Sequence, residues 1–235
     1  MINSFYTAAT GAIQLQYGVD IIANNVANMN NSGYKSSDMT FADLIHTNIR
    51  DSEATDSVLQ NGHGTRLANT STSFEQGAVG STGNLSDFAI SGDGFFAVQT
   101  DDGIKYTRTG SALLSLGDDG QMYLSSTLGG RLLDENNQPI VVTDLNTQQF
   151  NLGVFKFENE DGLLRDGSNF FVRSATSGAI SLSDNAEVKQ GYLEASSVDL
   201  AGEMANLIQY QKAFSFNSKM VQMADEVMQT VNNLR

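Results

Sequence analysis

Apolar residues change their spacing twice along this chain. From Asn3 to about Asn28 the positions Phe5, Ala9, Ala12, Val19, Ala23 and Val26 recur by threes and fours, with Gln16 filling the one gap. That period marks one face of a helix. No Pro interrupts it, and it runs out at Asn28, Asn30, Asn31, Ser32 and Gly33, a cluster that stops helices and makes turns. Gly11 and Gly18 each weaken the helix by up to ~1 kcal/mol relative to Ala, so the segment is expected to need a partner.

The far end repeats the pattern. Leu200, Met204, Leu207, Phe214, Val221, Ala224, Met228 and Val231 form a second stripe between Val198 and Leu234, broken at Gln211 and Ser218. At 1.5 Å per residue such a helix is about 50 Å long. Asp199 and Glu203 place acids at its start, where the helix dipole favours them, and the stripe suits a coiled-coil seam.

Between the ends the period shortens. Asp-Gly and Gly-Gly pairs at 102–103, 119–120, 129–130, 161–162 and 166–167 supply the positive φ of hairpin turns. They separate apolar runs near 87–91, 94–100, 104–109, 112–116, 121–125, 131–134, 140–143, 150–157, 163–165, 169–174, 179–183 and 187–194. One strand about every ten residues implies an antiparallel sandwich or distorted barrel. Residues 50–75, rich in Asp, Ser, Thr and Gly, read as an extended or poorly ordered arm. The expected class is therefore α+β: an N-terminal helix and turn at 1–35, a linker arm at 36–75, a β domain at 76–197 and a C-terminal helix at 198–235.

Composition narrows the function. The chain has 13 Lys and Arg against 27 Asp and Glu, a net charge of −14, with 40% hydrophobic residues and no Cys. So few bases cannot neutralise many phosphates, so nucleic acid is not an expected partner. Without Cys there is no disulfide framework, thiolate metal site or cysteine nucleophile, and the lack suits a protein outside the reducing cytosol. No apolar run approaches the ~18 residues of a membrane span, and the start lacks the basic and apolar regions of a cleaved secretory signal. Residues 1–35 are neutral and 199–235 carry −1, so residues 36–198 hold −13. Near-neutral ends can pack against copies of themselves, and an acidic middle stays in water.

Candidate chemistry is sparse. Gly92-Asp93-Gly94-Phe95-Phe96-Ala97 matches the letters of a dinucleotide fingerprint, but that motif must open a helix, and here a strand pattern follows. Neither a phosphate-binding loop nor a nucleophile elbow is present in the sequence. His46 and His63 stand 17 positions apart without Cys or H-E-x-x-H spacing, so no zinc site is expected. The Asp pairs at 101–102 and 118–119 adjoin Gly in turns and lack calcium-loop spacing. No nucleophile, base and orienting group come together, so no catalytic residue, metal or cofactor is expected.

Three stretches resemble the axial proteins of the bacterial flagellum, the rod and hook family. The first is Asp20-Ile21-Ile22-Ala23-Asn24-Asn25-Val26-Ala27-Asn28 followed by Gly33-Tyr34-Lys35. The second is Gln76-Gly77, Thr82-Gly83-Asn84, the run from Ala89 to Phe96, and Tyr106-Thr107-Arg108-Thr109-Gly110. The third is Gln190-Gly191-Tyr192-Leu193-Glu194, Val198-Asp199-Leu200, Glu203-Met204 and the helix to Arg235. Ser36 and Ser37, Ser197 and Leu85 depart from the family pattern. Residues 41–50 look most like the distal-rod type, with a proximal-rod or hook-junction member as the alternative.

The resemblance implies paired terminal helices in a tube wall and a β domain displayed outward. It implies a non-enzymatic subunit that polymerises helically into the drive shaft carrying torque to hook and filament. The implied partners are further copies, other rod and hook proteins, the flagellar type III export apparatus and surrounding rings, outside the cytoplasmic membrane and without membrane insertion. The expected assembly residues are Phe5, Val19 and Val26 packing with Leu207, Phe214, Val221 and Met228. Asn24, Asn25 and Asn28, whose amides donate and accept, are expected to tie backbone at the helix end and subunit junction. A secreted binding module on a coiled-coil stalk remains the competing reading.

Overall fold

The computed structural model describes residues 2–48, 60–117, 119–145, 150–183 and 185–234, and divides into two compact units. The first holds residues 1–27, 37–71 and 199–235. Its helices are α1 (Ile2–Ala27) and α2 (Leu200–Asn233), which pack on each other. Asp199 caps α2 by accepting from the Ala201 amide at 3.1 Å. Gly11 and Gly18 prove to be approach points. A Cβ at Gly11 would lie 2.9 Å from Asn217 Nδ2, and one at Gly18 would lie 2.9 Å from the Tyr210 ring, both on α2. Their cost to helix propensity is accepted where a side chain would meet α2 and, at Gly18, also the Met39 methyl group at 2.4 Å.

The same unit contains β1 (Ser37–Asp43), β2 (His46–Asn48), β3 (Gln60–Gly62) and β4 (Thr65–Thr72). β1 pairs with β4, and β2 with β3 in antiparallel register, His46 opposite Gly62. Gln14 on α1 accepts from the Leu67 amide at 2.8 Å, tying β4 to the helix. The boundaries thus differ from the expected linker at 36–75. Residues 37–71 belong with the helices because their strands pair among themselves and lie on α1, and residues 28–36 belong with the β domain. The part of the expected arm at 49–59 lies outside the described residues.

The second unit, residues 28–36 and 72–198, is the antiparallel β domain. Its strands are β5 (Val79–Ser81), β6 (Phe88–Ser91), β7 (Phe95–Thr100), β8 (Gly103–Thr107), β9 (Ala112–Leu116), β10 (Met122–Ser126), β11 (Arg131–Leu132) and β12 (Val154–Phe157). They continue with β13 (Leu164–Arg165), β14 (Phe170–Val172), β15 (Ile180–Leu182), β16 (Glu187–Gln190) and β17 (Tyr192–Glu194). Seven strands of the main sheet run in the order β13, β14, β8, β7, β11, β10, β9, while β12 joins β7 to β15. β16 pairs with β6, and β17 with β5. The run expected as a strand at 140–143 touches β10 through the single bridge of Val141 to Tyr123.

β7 explains where the core sits. Successive strand residues point to opposite faces. Phe96 and Val98 enter one cluster with Phe88, Ile90, Leu124 and Leu132; Phe95 and Ala97 enter the other with Tyr106, Phe155, Phe157 and Phe171. A strand covered on both faces needs a continuous apolar run, which Phe95-Phe96-Ala97-Val98 supplies. Phe95 meets Phe74, Phe157 and Phe171 at centroid separations of 5.4, 5.9 and 5.7 Å. These are tilted and edge-on contacts of the kind aromatic quadrupoles favour.

Candidate assembly site

The expected assembly residues fall on both helices of the first unit and on the turn that opens the second. Phe5, Val19 and Val26 are half-buried on α1, as are Leu207 and Val221 on α2, while Phe214 and Met228 are exposed. Met228 lines a cavity of about 920 Å³ with Ser4, Thr7, Ala8, Asn217 and Met220. α2 contains no buried residue among those described. Met204, Ile208, Phe216, Met220, Met223 and Val231 are all exposed along it, Phe216 to 68%.

The three Asn residues separate in role. Asn25 is buried, and its amide oxygen accepts from the Ser37 N–H while Nδ2 donates to the Ser37 carbonyl, both at 2.9 Å. Nδ2 also donates to Glu203 Oε1 at 2.6 Å. One amide therefore ties α1 to β1 and to the first turn of α2. Burial raises the Glu203 carboxyl above its ordinary value, and Asp38 and Asp199 add to that shift against the Asn25 bond. Asn28 accepts from Asn31 Nδ2 at 2.7 Å in the turn after α1, and Asn24 is exposed.

Within the β domain, a buried ionic network joins residues from all three motif stretches. Glu194 Oε1 accepts from Lys35 Nζ at 2.7 Å and from the Gly77 amide at 2.9 Å; its Oε2 accepts from Arg108 Nε at 2.6 Å. Lys35 also donates to the Glu75 carbonyl at 2.6 Å, and Arg108 donates to the carbonyls of Gly92 and Gly94. All three ionic side chains are at most 4% exposed, and among the described residues no buried side-chain nitrogen or oxygen is left unpaired. Burial pushes the Lys35 ammonium down and Glu194 opposes the shift.

The glycine–aspartate–glycine turn thus turns carbonyl acceptors on a guanidinium, whereas a phosphate would need N–H donors there. Phe95 then begins β7, with no helix at the turn. Gly33, at φ +66, donates to the Glu194 carbonyl at 2.8 Å; a Cβ would approach the Arg108–Thr109 peptide to 2.7 Å. Lys35, Arg108 and Glu194 each stand inside one of the three motif stretches, where nothing local gives them a role. Spacing alone could not pair them, since Glu194 lies 159 residues from Lys35 and 86 from Arg108.

Comparison with known proteins decides the family. The chain is 36% identical over 263 aligned positions to the flagellar basal-body rod protein FlgG of Borreliella burgdorferi, covering all of this chain and 99% of that one. It is 32% identical to FlgG of Bacillus subtilis over the full length of both. The chain belongs to the flagellar basal-body rod protein family. Two family profiles also match, one described as flagella basal body rod protein at residues 5–35 and one as flagellar basal body rod FlgEFG protein C-terminal at 189–234. The first covers α1 to Lys35 and the second β17 with Glu194 and α2. The two rod-family profiles therefore each contribute one partner of the buried Lys35–Glu194 pair. A further relative, the flagellar hook-basal body complex protein FlhP of Bacillus subtilis, is 28% identical over the full length of both chains.

Proposed function

We propose that this rod-family chain is a structural subunit of distal-rod type. It polymerises helically through α1 and α2 into the shaft that carries torque to hook and filament. The observation that supports this best is α2. A helix of 34 residues without one buried side chain has its apolar stripe only partly covered by α1, and helices of that length owe their order to packing. Neighbouring copies would cover it, through contacts that advance without closing into a ring. Phe5, Val19, Val26, Leu207, Phe214, Val221 and Met228 form that seam, and Asn24 and Asn28 lie at the junction beside Asn25.

Family membership places the chain in the flagellar basal body; delivery by the flagellar type III apparatus and a position beyond the cytoplasmic membrane belong to the proposal. Rod and hook proteins are the neighbours it implies, with rings around the shaft, and no catalysis is part of it. No helix among the described residues is long and apolar enough to cross a membrane.

The test is Phe214→Asp. Phe214 is 42% exposed, so the β domain should fold with an unchanged melting profile while rod assembly and swimming are lost. Normal rods with this variant would remove the helices from the wall. A closed trimer of the purified wild-type chain would favour a stalked binding module.

A further inference from the structure

Oxidisable sulfur is concentrated on one helix. The chain has no Cys and 8 Met, so thioethers are all that an oxidant of sulfur meets. Met204, Met220, Met223 and Met228 lie on α2. The first three stand outside the seam named above and are 46%, 47% and 49% exposed. Phe216, Met220, Met223 and Val227 recur by four, three and four, an exposed apolar stripe beside the face where Tyr210 and Asn217 meet α1. Met29 and Met39 differ, because both are half-buried and the Met39 methyl group fills the space beside Gly18.

Thioether oxidation turns an apolar side chain polar without touching the backbone. With hydrogen peroxide as the oxygen donor, a sulfur lone pair attacks one peroxide oxygen, the O–O bond breaks as the S–O bond forms, and the other oxygen leaves as water after a proton shift. Sulfur loses two electrons and the peroxide gains them. The product is a polar, chiral sulfoxide, which sulfoxide reductases return to the thioether. On a subunit in water its oxygen is hydrated, and at Met220 the cavity shared with Ser4, Thr7 and Asn217 offers hydroxyl and amide donors as well. Beneath an apolar neighbour the same oxygen loses those partners, and burying it unpaired opposes the contact. We infer that Met204, Met220 and Met223 are sulfoxidation sites of the unassembled subunit, and that oxidation there holds the subunit out of the polymer until it is reduced. The inference rests on the polymer reading above and adds a reversible redox control to it.

The purified full-length chain and flagellated cells test the two halves of this inference. Under hydrogen peroxide, peptide mass spectrometry should show Met204, Met220 and Met223 each gaining one oxygen at least about threefold faster than Met29 and Met39, and a sulfoxide reductase should remove it; equal rates overturn the sites. In cells, Met204→Gln, Met220→Gln and Met223→Gln combined, which imitate the polarity of the sulfoxide, should lower the number of rods at least about tenfold with an unchanged melting profile of the purified chain. The same three positions changed to Leu, of similar volume and apolar, should keep the wild-type number. Wild-type rod numbers in the Gln variant overturn the redox control. So does an equal loss in the Leu variant, which would trace the effect to shape rather than polarity. Met122→Gln, on β10 and 39% exposed, should leave rods unchanged, and a loss there as large as in the triple Gln variant overturns the assignment to α2. Wild-type rods that lack this chain overturn the polymer reading and the redox control with it, and the peroxide rates then decide the sulfoxidation sites by themselves.

Discussion

The two units of this molecule finish their burial to different degrees. In the β domain, Phe88, Ile90, Phe95, Phe96, Val98 and Leu124 are all at most 1% exposed, and buried Glu194 is paired with both Lys35 and Arg108. In the helical unit, α2 runs 34 residues without a buried side chain. Both units are rich in apolar residues, so composition does not separate them. What differs is whether the chain supplies its own covering surface. A domain that does so is stable alone, and a helix that does not is specified by what it will meet.

The largest effects should come from the completed half. Phe96→Ala removes a ring at the centre of one core cluster and is expected to cost about 3–5 kcal/mol, read as a lowered midpoint in denaturant unfolding. Glu194→Ala leaves two buried cations without a carboxylate, and a loss of about 3–5 kcal/mol should follow. A change under about 1 kcal/mol would mean that water reaches Lys35 and Arg108. Gly33→Ala is expected to cost roughly 1–3 kcal/mol, because it combines a positive φ with backbone contact. Its thermal melt should fall accordingly.

The unfinished half should answer differently. Glu203 has its folded pKa raised above the ordinary 4.5, so the folded unit binds more protons than the unfolded chain just above that value. Helical-unit stability should then be greatest below pH 4.5 and decline as pH rises through the folded pKa. Glu203→Gln should flatten that decline and slow amide exchange in α1 and α2 at neutral pH. Because the group is only half-buried, the gain should stay below about 1 kcal/mol. Smallest of all, Phe216→Ala should change the melting of the free chain by no more than about 0.5 kcal/mol while reducing rod assembly. Substantial destabilisation of the free chain by this change would show that α2 is already covered and would dissolve the contrast.

How much of this the sequence disclosed depends on range. Period and punctuation are local, so α1, α2 and the strands between the Asp-Gly turns could be read from neighbouring residues. β1 to β4 could not: Ser37–Asp43 and Thr65–Thr72 are mostly polar, and a polar run looks like a linker until its partner is known. Gly11 and Gly18 were visible as weak helix positions, yet the groups that crowd them lie on α2, about 200 residues away, and for Gly18 also at Met39. Asn25 stands in the first motif stretch, but its two acceptors, the Ser37 carbonyl and Glu203, and the shift it moderates on Glu203 needed the fold. The network of Lys35, Arg108 and Glu194 was hidden for the same reason, although each residue stood in a motif that marked the family.

Ser36 shows what this long-range closure permits. Its carbonyl accepts from the Ser73 amide at 2.9 Å, its amide donates to Ser197 Oγ at 3.0 Å, and the Ser197 amide donates to the Tyr34 carbonyl at 3.0 Å. Three passages of the chain are therefore clasped at one residue, and the strands between positions 73 and 197 form a loop closed at its own base. A segment tied off in this way is a cassette. It can gain or lose strands at its far hairpins while the distance between its entry and exit stays fixed, so the domain can be resized without altering the span the rest of the chain must bridge.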